Sequence, residues 1–434
     1  MSPELVGVIG VALLLALIFC KVWVGIAMAL VGFLGYAYLE GWQKAFMMVG
    51  TEPYAQVASY VFTCVPLFIL MGAVVANMGV AKDLYDAASK WLSAFKGGLG
   101  MATVVASGLF AAMTGSSMAC AVSMGKIAIP EMKAKGYSPR LATGIVAAGG
   151  TLGILIPPSL GFVLYGLLTE QSIGKLFMAG IIPGILEVVF YCLTIFILCK
   201  FEPEMVPHSE QSSIKFTEKM RSLKNTWAMI LIFLIVIGGI YMGVITATEA
   251  GAIGAFGAIF VSFLARRVNK QAFKNSILEA AEGTAMIVLM VVGVFIFMRF
   301  LTVSKLPTTL STIIAKLNLP KYGVLIAILV FYIILGCFMD IFAIILLTVP
   351  IFYPVILSLG FDPIWFGVLM VRVMEVGLIT PPIGLNVFVL RSVTDVPMKE
   401  IFKGVFPFLI ADFCHITVLI LFPSLALFIP NRMM

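Results

Sequence analysis

A constant shift of 224 residues brings two stretches of this 434-residue chain into register without a gap. Pro130 falls on Pro354, Gly136 on Gly360, Pro139 on Pro363, Gly153 on Gly377, Pro157 and Pro158 on Pro381 and Pro382, Gly180 on Gly404, and Pro183 on Pro407. Of the 14 Gly or Pro positions between 130 and 183, 8 keep their identity, including all 5 prolines, where composition alone predicts about one. Glycine and proline set turns and breaks. What has been duplicated is therefore a pattern of backbone interruptions, and the chain must fold as two similar halves.

The medium follows from the charges. The chain is 62% hydrophobic and 11% charged, against roughly half and a quarter for soluble domains. That is too few charges to coat a water-soluble particle, so the chain is a polytopic protein whose surroundings are a lipid bilayer. The net charge of +7 sits mostly in short interhelical segments, where it reports orientation and gives no reason to expect nucleic acid. A phosphate-binding G-x-x-x-x-G-K-[ST] is absent, the longest polar stretch, Glu202 to Asn225, is too short for an ATPase, and nothing suggests an enzyme. Seven cysteines lie scattered through apolar runs without a C-x-x-C, which reads as packed thiols. No Lys or Arg precedes Lys21, so the first apolar run reads as a retained span instead of a signal peptide.

A window of about 20 apolar residues gives spans at Leu5–Cys20, Val22–Leu39 and Tyr54–Asn77, then an amphipathic stretch Lys82–Phe95. Residues 97–135 hold two apolar arms of about 15 residues around Thr114-Gly115-Ser116-Ser117; each reaches about 22 Å, short of the roughly 30 Å hydrocarbon core. A re-entrant hairpin fits better than two spans. The next span, 139–168, is interrupted by Gly149-Gly150-Thr151-Leu152-Gly153 and Pro157-Pro158, and Lys175–Cys199 completes a first repeat over 1–200. After a loop at 201–225, the second repeat (226–434) offers Trp227–Thr246, Glu249–Ala265, Glu279–Leu301, an amphipathic Lys305–Leu317, a hairpin 322–359, a broken span 363–393 and Ile401–Ile429. The expected fold class is an all-α inverted-repeat secondary transporter with two re-entrant hairpins and two broken helices.

Five full spans per half, an odd number, give the copies opposite topology. Assigned to alternating faces, 19 Lys and Arg fall on one side and 7 on the other, with Lys126 and Arg372 inside apolar segments. The positive-inside rule makes the rich face, and with it the loop, cytoplasmic, so both termini are expected outside.

Backbone that leaves the helix at membrane depth must be satisfied by protein, water or ligand. In secondary transporters such elements aim half-helix N-termini at an anionic substrate and offer carbonyls to a coupling cation. A first Na+ site is expected from Gly115, Ser116 and Ser117 with Gly149, Gly150, Gly153 and Pro157; a small-residue packing patch is the plainer alternative. A second is expected from Met339, Asp340, Gly377, Thr380 and Pro382, since the shift sets Met339-Asp340-Ile341 opposite Gly115-Ser116-Ser117, and a carboxylate amid Phe338, Ile341 and Phe342 is expensive in lipid. Asp340 would equally serve as a helix N-cap. Substrate contacts are expected from Ser116, Ser159, Asp340, Asn386 and Arg372, whose fork suits a carboxylate or sulfonate. The blander role for Arg372 is an i,i+3 pair with Glu375. Glu249, after Thr246, reads as a capping residue, and His208 and His415 as lone packing or surface histidines, with no metal other than Na+ and no organic cofactor expected.

The ordered segments Met113-Thr-Gly-Ser-Ser-Met-Ala-Cys-Ala, Ile129-Pro-Glu-Met-Lys-Ala-Lys-Gly-Tyr137, Gly153-Ile-Leu-Ile-Pro-Pro-Ser159, Thr169-Glu-Gln-Ser-Ile-Gly-Lys-Leu-Phe177, Ala179-Gly-Ile-Ile-Pro-Gly184 and Gly377-Leu-Ile-Thr-Pro-Pro-Ile-Gly-Leu-Asn386, with Thr248-Glu249-Ala250, resemble the large membrane subunit of TRAP (tripartite ATP-independent periplasmic) transporters over essentially the whole chain. The resemblance implies Na+-driven import of a small organic anion across a bacterial inner membrane by an elevator mechanism, with the two amphipathic segments as arms. It also implies two partners, expected as separate chains: a small membrane subunit of about four helices and a periplasmic solute-binding protein. Competing readings are a receptor-independent symporter or antiporter of the wider ion-transporter superfamily and a passive channel; an ATP-driven permease has no supporting motif.

Overall fold

The computed structural model describes residues 1–206, 214–267, 269–317 and 319–433, so His208 lies outside the described residues. The described residues contain helices and turns and no strand. In chain order, α1 (Pro3–Phe19), α2 (Val24–Glu40) and α3 (Trp42–Val57) lead through a 3-10 turn into α4 (Cys64–Asn77), followed by the amphipathic α5 (Val80–Leu92). Helices α6 (Gly98–Thr114) and α7 (Ser117–Ala134) form the first hairpin, α8 (Pro139–Leu155) and α9 (Leu160–Thr169) the first broken helix, and α10 (Ile173–Phe201) closes the half. A short α11 (Phe216–Ser222) precedes α12 (Trp227–Tyr241), α13 (Ala247–Leu264), α14 (Lys270–Ser304) and the second amphipathic helix α15 (Leu306–Lys316). Then come the second hairpin, α16 (Lys321–Gly336) and α17 (Ile341–Ser358), the second broken helix, α18 (Pro363–Gly377) and α19 (Leu385–Val393), and finally α20 (Met398–Leu421) and α21 (Ser424–Leu427).

The 224-residue register extends to the elements themselves. Shifted by that amount, α2 would span 248–264, α7 341–358 and α9 384–393, against observed helices Ala247–Leu264, Ile341–Ser358 and Leu385–Val393. The same shift pairs α1 with α12, α5 with α15, α6 with α16, α8 with α18 and α10 with α20. Six helices among the described residues are long and apolar enough to cross a bilayer, or up to eight if each bent pair is one span, while α1, α2, α6 and α16 are apolar but shorter. Hairpin arms of 16 to 18 residues reach about 24–27 Å at 1.5 Å per residue, longer than expected yet still under the hydrocarbon thickness.

Four expectations need correction. Tyr54–Asn77 is not one span: α3 and the stretch Val61–Asn77 meet at 60°, and α3, with Thr51 exposed, Gln56 half-buried, Pro53 inside it and Glu52 buried against Arg299 of α14, ends at Val57. Its counterpart α14 is longer than Glu279–Leu301, an unbroken 35 residues. The last span stops at Leu421, where Pro423 cannot continue the helix. Finally, α8 stays helical through Gly149, Gly150 and Gly153, so the first break is only Ile156 to Ser159.

Close helix contacts explain glycines elsewhere in the helices. A Cβ added at Gly293 would collide with the Gly25 carbonyl oxygen, and one added at Gly404 with that of Arg140. Backbones therefore touch where α14 crosses α2 and where α20 crosses α8, the small-residue packing of helices in lipid. Large apolar side chains such as Phe256 and Phe263 of α13, Ile185 and Val189 of α10, and Phe406 and Ile410 of α20 stay exposed, as a lipid-facing surface requires. Two polar ties hold the amphipathic α5: Asp83 pairs with Arg267 just before α14, and Trp91 Nε1 donates to the Lys219 carbonyl at 3.2 Å. The capping box expected at Glu249 is present, its carboxylate accepting from the Thr246 backbone N–H at 2.7 Å.

Candidate functional site

The first hairpin turns at Gly115, whose φ of +60° suits a residue without Cβ. Ser116 then caps α7, its hydroxyl accepting from the Ala119 N–H at 3.3 Å. This tip rests on the first break. A Cβ at Gly153 would meet the Ser117 nitrogen at 2.6 Å, and one at Gly115 would sit 3.3 Å from the Pro158 carbonyl oxygen. Only glycine permits that approach. Ser159, in turn, caps α9 through the Phe162 N–H at 3.4 Å, so two helix N-termini, with their partial positive charge, converge where the chain reverses. Pro157 and Pro158 have no N–H, which deprives the Gly153 and Ile154 carbonyls of their i+4 donors. The arrangement brings Gly115, Ser116, Ser117, Gly153, Pro157 and Ser159 together.

The second hairpin repeats the contact with different chemistry. A Cβ at Gly377 would meet Gly336 Cα at 2.5 Å, so the end of α16 lies on the end of α18. Asp340 caps α17, its carboxylate accepting from the Phe342 N–H at 3.0 Å; the capping role is realised. The Leu378 carbonyl, which would have used residue 382 as its donor, accepts instead from the Asn386 N–H at 3.0 Å. The Thr380 hydroxyl donates to the Val376 carbonyl at 2.6 Å. No hydrogen bond joins Asp340 to Thr380 among the described residues. Pro381, Pro382 and Ile383 are exposed.

Two cavities separate the tips from α14. One, of about 230 Å³, is lined by Ser116, Thr114, Gly72, Glu279 and Phe342; the other, of about 350 Å³, by Met339, Asp340, Lys21, Trp23 and Leu289. Met286 lines both, so the cavities are neighbours, and each tip contributes the side chain singled out from the sequence. Asn77 Nδ2 donates to Glu279 Oε2 at 2.8 Å beside the first of them.

Arg372 faces neither cavity. It is fully buried, with Nη1 3.1 Å from Glu187 Oε1, Nη2 bonded to Asp412 Oδ1, and Nε donating to His415 Nδ1 at 3.1 Å. These partners stand where the sequence suggested an i,i+3 pair with Glu375. Glu375 turns the other way: its Oε1 accepts from the Ile154 N–H at 2.9 Å and from the Ser117 hydroxyl at 3.4 Å. Asn386 is likewise drawn from the second break to the first repeat, where its amide lies 3.2 Å from a Cβ added at Gly150. Sequence reasoning missed Glu187 and Asp412, although ionisable residues inside long apolar runs are themselves a signal.

Paired interrupted helices, each seated against a hairpin tip in an apolar body, define a polytopic membrane protein of transporter type. The solved structure of the Alcanivorax borkumensis YdaH transporter shares the fold, with a TM-score of 0.63 at 14% identity and coverage of 89% of each chain. Residues 11–425 match the family described as "Tripartite ATP-independent periplasmic transporter, DctM component", and the chain belongs to it. Among its relatives, the C4-dicarboxylate TRAP transporter large permease protein DctM of Pseudomonas aeruginosa is 36% identical over 86% of both chains. The sialic acid TRAP transporter large permease protein SiaM of Vibrio cholerae is 32% identical over 86% of this chain and 87% of its own.

Proposed function

We propose that this chain is the permease of a Na+-driven importer of a small organic anion, receiving its substrate from a periplasmic solute-binding protein. The observation that carries the reading is the seating of the Gly115–Ser117 tip on the first break, which sets two helix N-termini and two carbonyls without helical donors at one point. Hydroxyls and carbonyls there suit Na+, and the convergent N-termini suit a carboxylate or sulfonate. The Ser116 and Asp340 cavities flank α14, where a substrate would rest between the hairpins and a fixed helix. Relatives named for C4-dicarboxylate and sialic acid agree with an anionic cargo. In this reading the chain lies in a bacterial inner membrane with both termini outside and is braced by a small membrane subunit of about four helices. The hairpin-bearing elements then slide as one body along α2 and α14, with α5 and α15 as arms.

The test is uptake of radiolabelled organic anion into proteoliposomes holding this chain and its small subunit. Uptake should require both an inward Na+ gradient and the solute-binding protein. Uptake without that protein would favour a receptor-independent symporter, and flux indifferent to the Na+ gradient would sink the coupling.

A further inference from the structure

Four ionisable side chains meet between the two repeats, all fully buried: Arg372 and Glu375 from α18, Glu187 from α10 and Asp412 from α20. One guanidinium stands against three carboxylates. Glu187 and Asp412 take its two ends, and His415, accepting through Nδ1, adds no positive charge. Glu375 is left without a cationic partner among the described residues. Its Oε1 is held by Ile154 N–H and Ser117 Oγ, while Oε2 has no hydrogen-bond partner among them. An unpaired carboxylate in a low-dielectric interior is among the costliest arrangements a fold can contain.

Asn386 supplies the second observation. It is fully buried, and neither its amide oxygen nor its amide nitrogen has a partner among the described residues. A Cβ placed on Gly150 would touch this amide at 3.2 Å and the Ser117 carbonyl oxygen at 3.3 Å, and the Ser117 hydroxyl is the group that reaches Glu375. Ser117 thus meets both second-repeat side chains: its hydroxyl reaches the Glu375 carboxylate, and its carbonyl and the Asn386 amide, through Nδ2, lie together beside Gly150. Both ends of that amide are without a partner among the described residues, so a turn of the amide that brings Oδ1 forward gives a set of hard oxygen donors: carboxylate, hydroxyl, carbonyl and amide oxygen. Among the described residues the groups that act on Glu375 are Ser117 and Cys120 of α7, the Ile154 N–H of α8, Glu187 of α10 and Arg372 of its own helix, and Arg372 is the one cation among them.

We propose that Glu375 and Asn386, both from the second repeat, complete the first cation site by joining Ser117 of the first, so that the bound monovalent cation ties the two repeats together. This rests on the Na+-driven reading above and deepens it. The first hairpin carries no acid at its tip; its charged ligand comes across the repeat interface from α18. Binding there neutralises Glu375 and fastens the hairpin to the second broken helix, so cation release and hairpin movement are one event.

The experiment follows the thermal midpoint of the purified full chain in lipid nanodiscs as NaCl replaces choline chloride at constant ionic strength. Wild type should be stabilised by Na+ with a saturable midpoint. Glu375→Gln, which keeps an acceptor for Ile154 N–H, should move that midpoint up at least about tenfold, and Asn386→Leu several-fold. Either variant retaining the wild-type midpoint would overturn the assignment while leaving Na+ coupling intact; a wild type indifferent to Na+ would remove the coupling itself. Should Glu375→Gln fail to fold, Asn386→Leu decides, since it alters no charge.

Discussion

The two repeats share a backbone plan and differ in what they do with it. In the first, the break at Pro157 and Pro158 is buried, with Met71 and Val75 of α4 and Met229 and Val236 of α12 lying around Pro158. In the second, Pro381 and Pro382 are exposed, although the register makes them the same residues. The first tip is neutral, with Ser116 and Ser117; the second carries Asp340. The first repeat reaches its break through α3 and α4, bent by 60°, where the second has the single helix α14. Duplication fixed where helices stop. Side chains then decided which stop is sealed, which tip is charged, and where buried charge collects.

That contrast can be broken first at Arg372, whose first-repeat counterpart by register is Ala148. Arg372→Met leaves Glu187 and Asp412 buried without a cation and should cost about 3–5 kcal/mol, seen as a collapse of the thermal midpoint in nanodiscs. A midpoint within a few degrees of wild type would mean that the cluster is not ionised as drawn. Next comes access to the breaks. With the seven native cysteines replaced, Ile383→Cys should react with a membrane-impermeant maleimide about a hundredfold faster than Ser159→Cys, because the latter needs a local opening; equal rates would erase the distinction between a sealed and an open break.

The glycine contacts test what the repeats have in common. Gly153→Ala and Gly377→Ala should each destabilise by about 1–3 kcal/mol through overpacking; a loss in one alone would show that only one hairpin is pressed against its helix. The smallest expected effects lie at the tips. Asp340→Ala, losing a full charge, should raise the Na+ concentration for half-maximal uptake about tenfold, and Ser116→Ala, losing one neutral oxygen, about two- to threefold. The reverse order would place the stronger cation ligand on the neutral tip.

How far the sequence carried depends on the kind of signal. Residues that act locally were legible: Gly115 as the turn, Pro157 and Pro158 as the break, Ser116 and Asp340 at the heads of α7 and α17, and Thr246 with Glu249 as a capping pair. The bend before α4 was not, because Tyr54 to Asn77 carries no charge and passes for a span in spite of Gln56, Ser59 and Thr63, and its ends are set by how α3 packs. The helix through Gly149 and Gly150 was hidden for a related reason. Those glycines admit Ser107 and Asn386 to close range without unwinding anything, and only neighbours far along the chain reveal it. Arg372 and Glu375 stand three residues apart on α18, yet they turn apart and choose partners from α10 and α20 and from α7 and α8 respectively, which no i,i+3 spacing could disclose.

The unbroken α14 has a consequence of its own. At 1.5 Å per residue its 35 residues measure about 52 Å, far taller than the oily slab it crosses. Part of it must therefore lie beyond the hydrocarbon, and the polar opening turns, beginning Lys270-Gln-Ala-Phe-Lys274, are the part suited to water; the Arg267–Asp83 contact that moors α5 lies just before them, with the Arg267 side chain 30% exposed. A partly exposed mooring of this kind slackens as ionic strength rises, so the grip of the α5 strut on the longest described helix is set in part by the brine that bathes it.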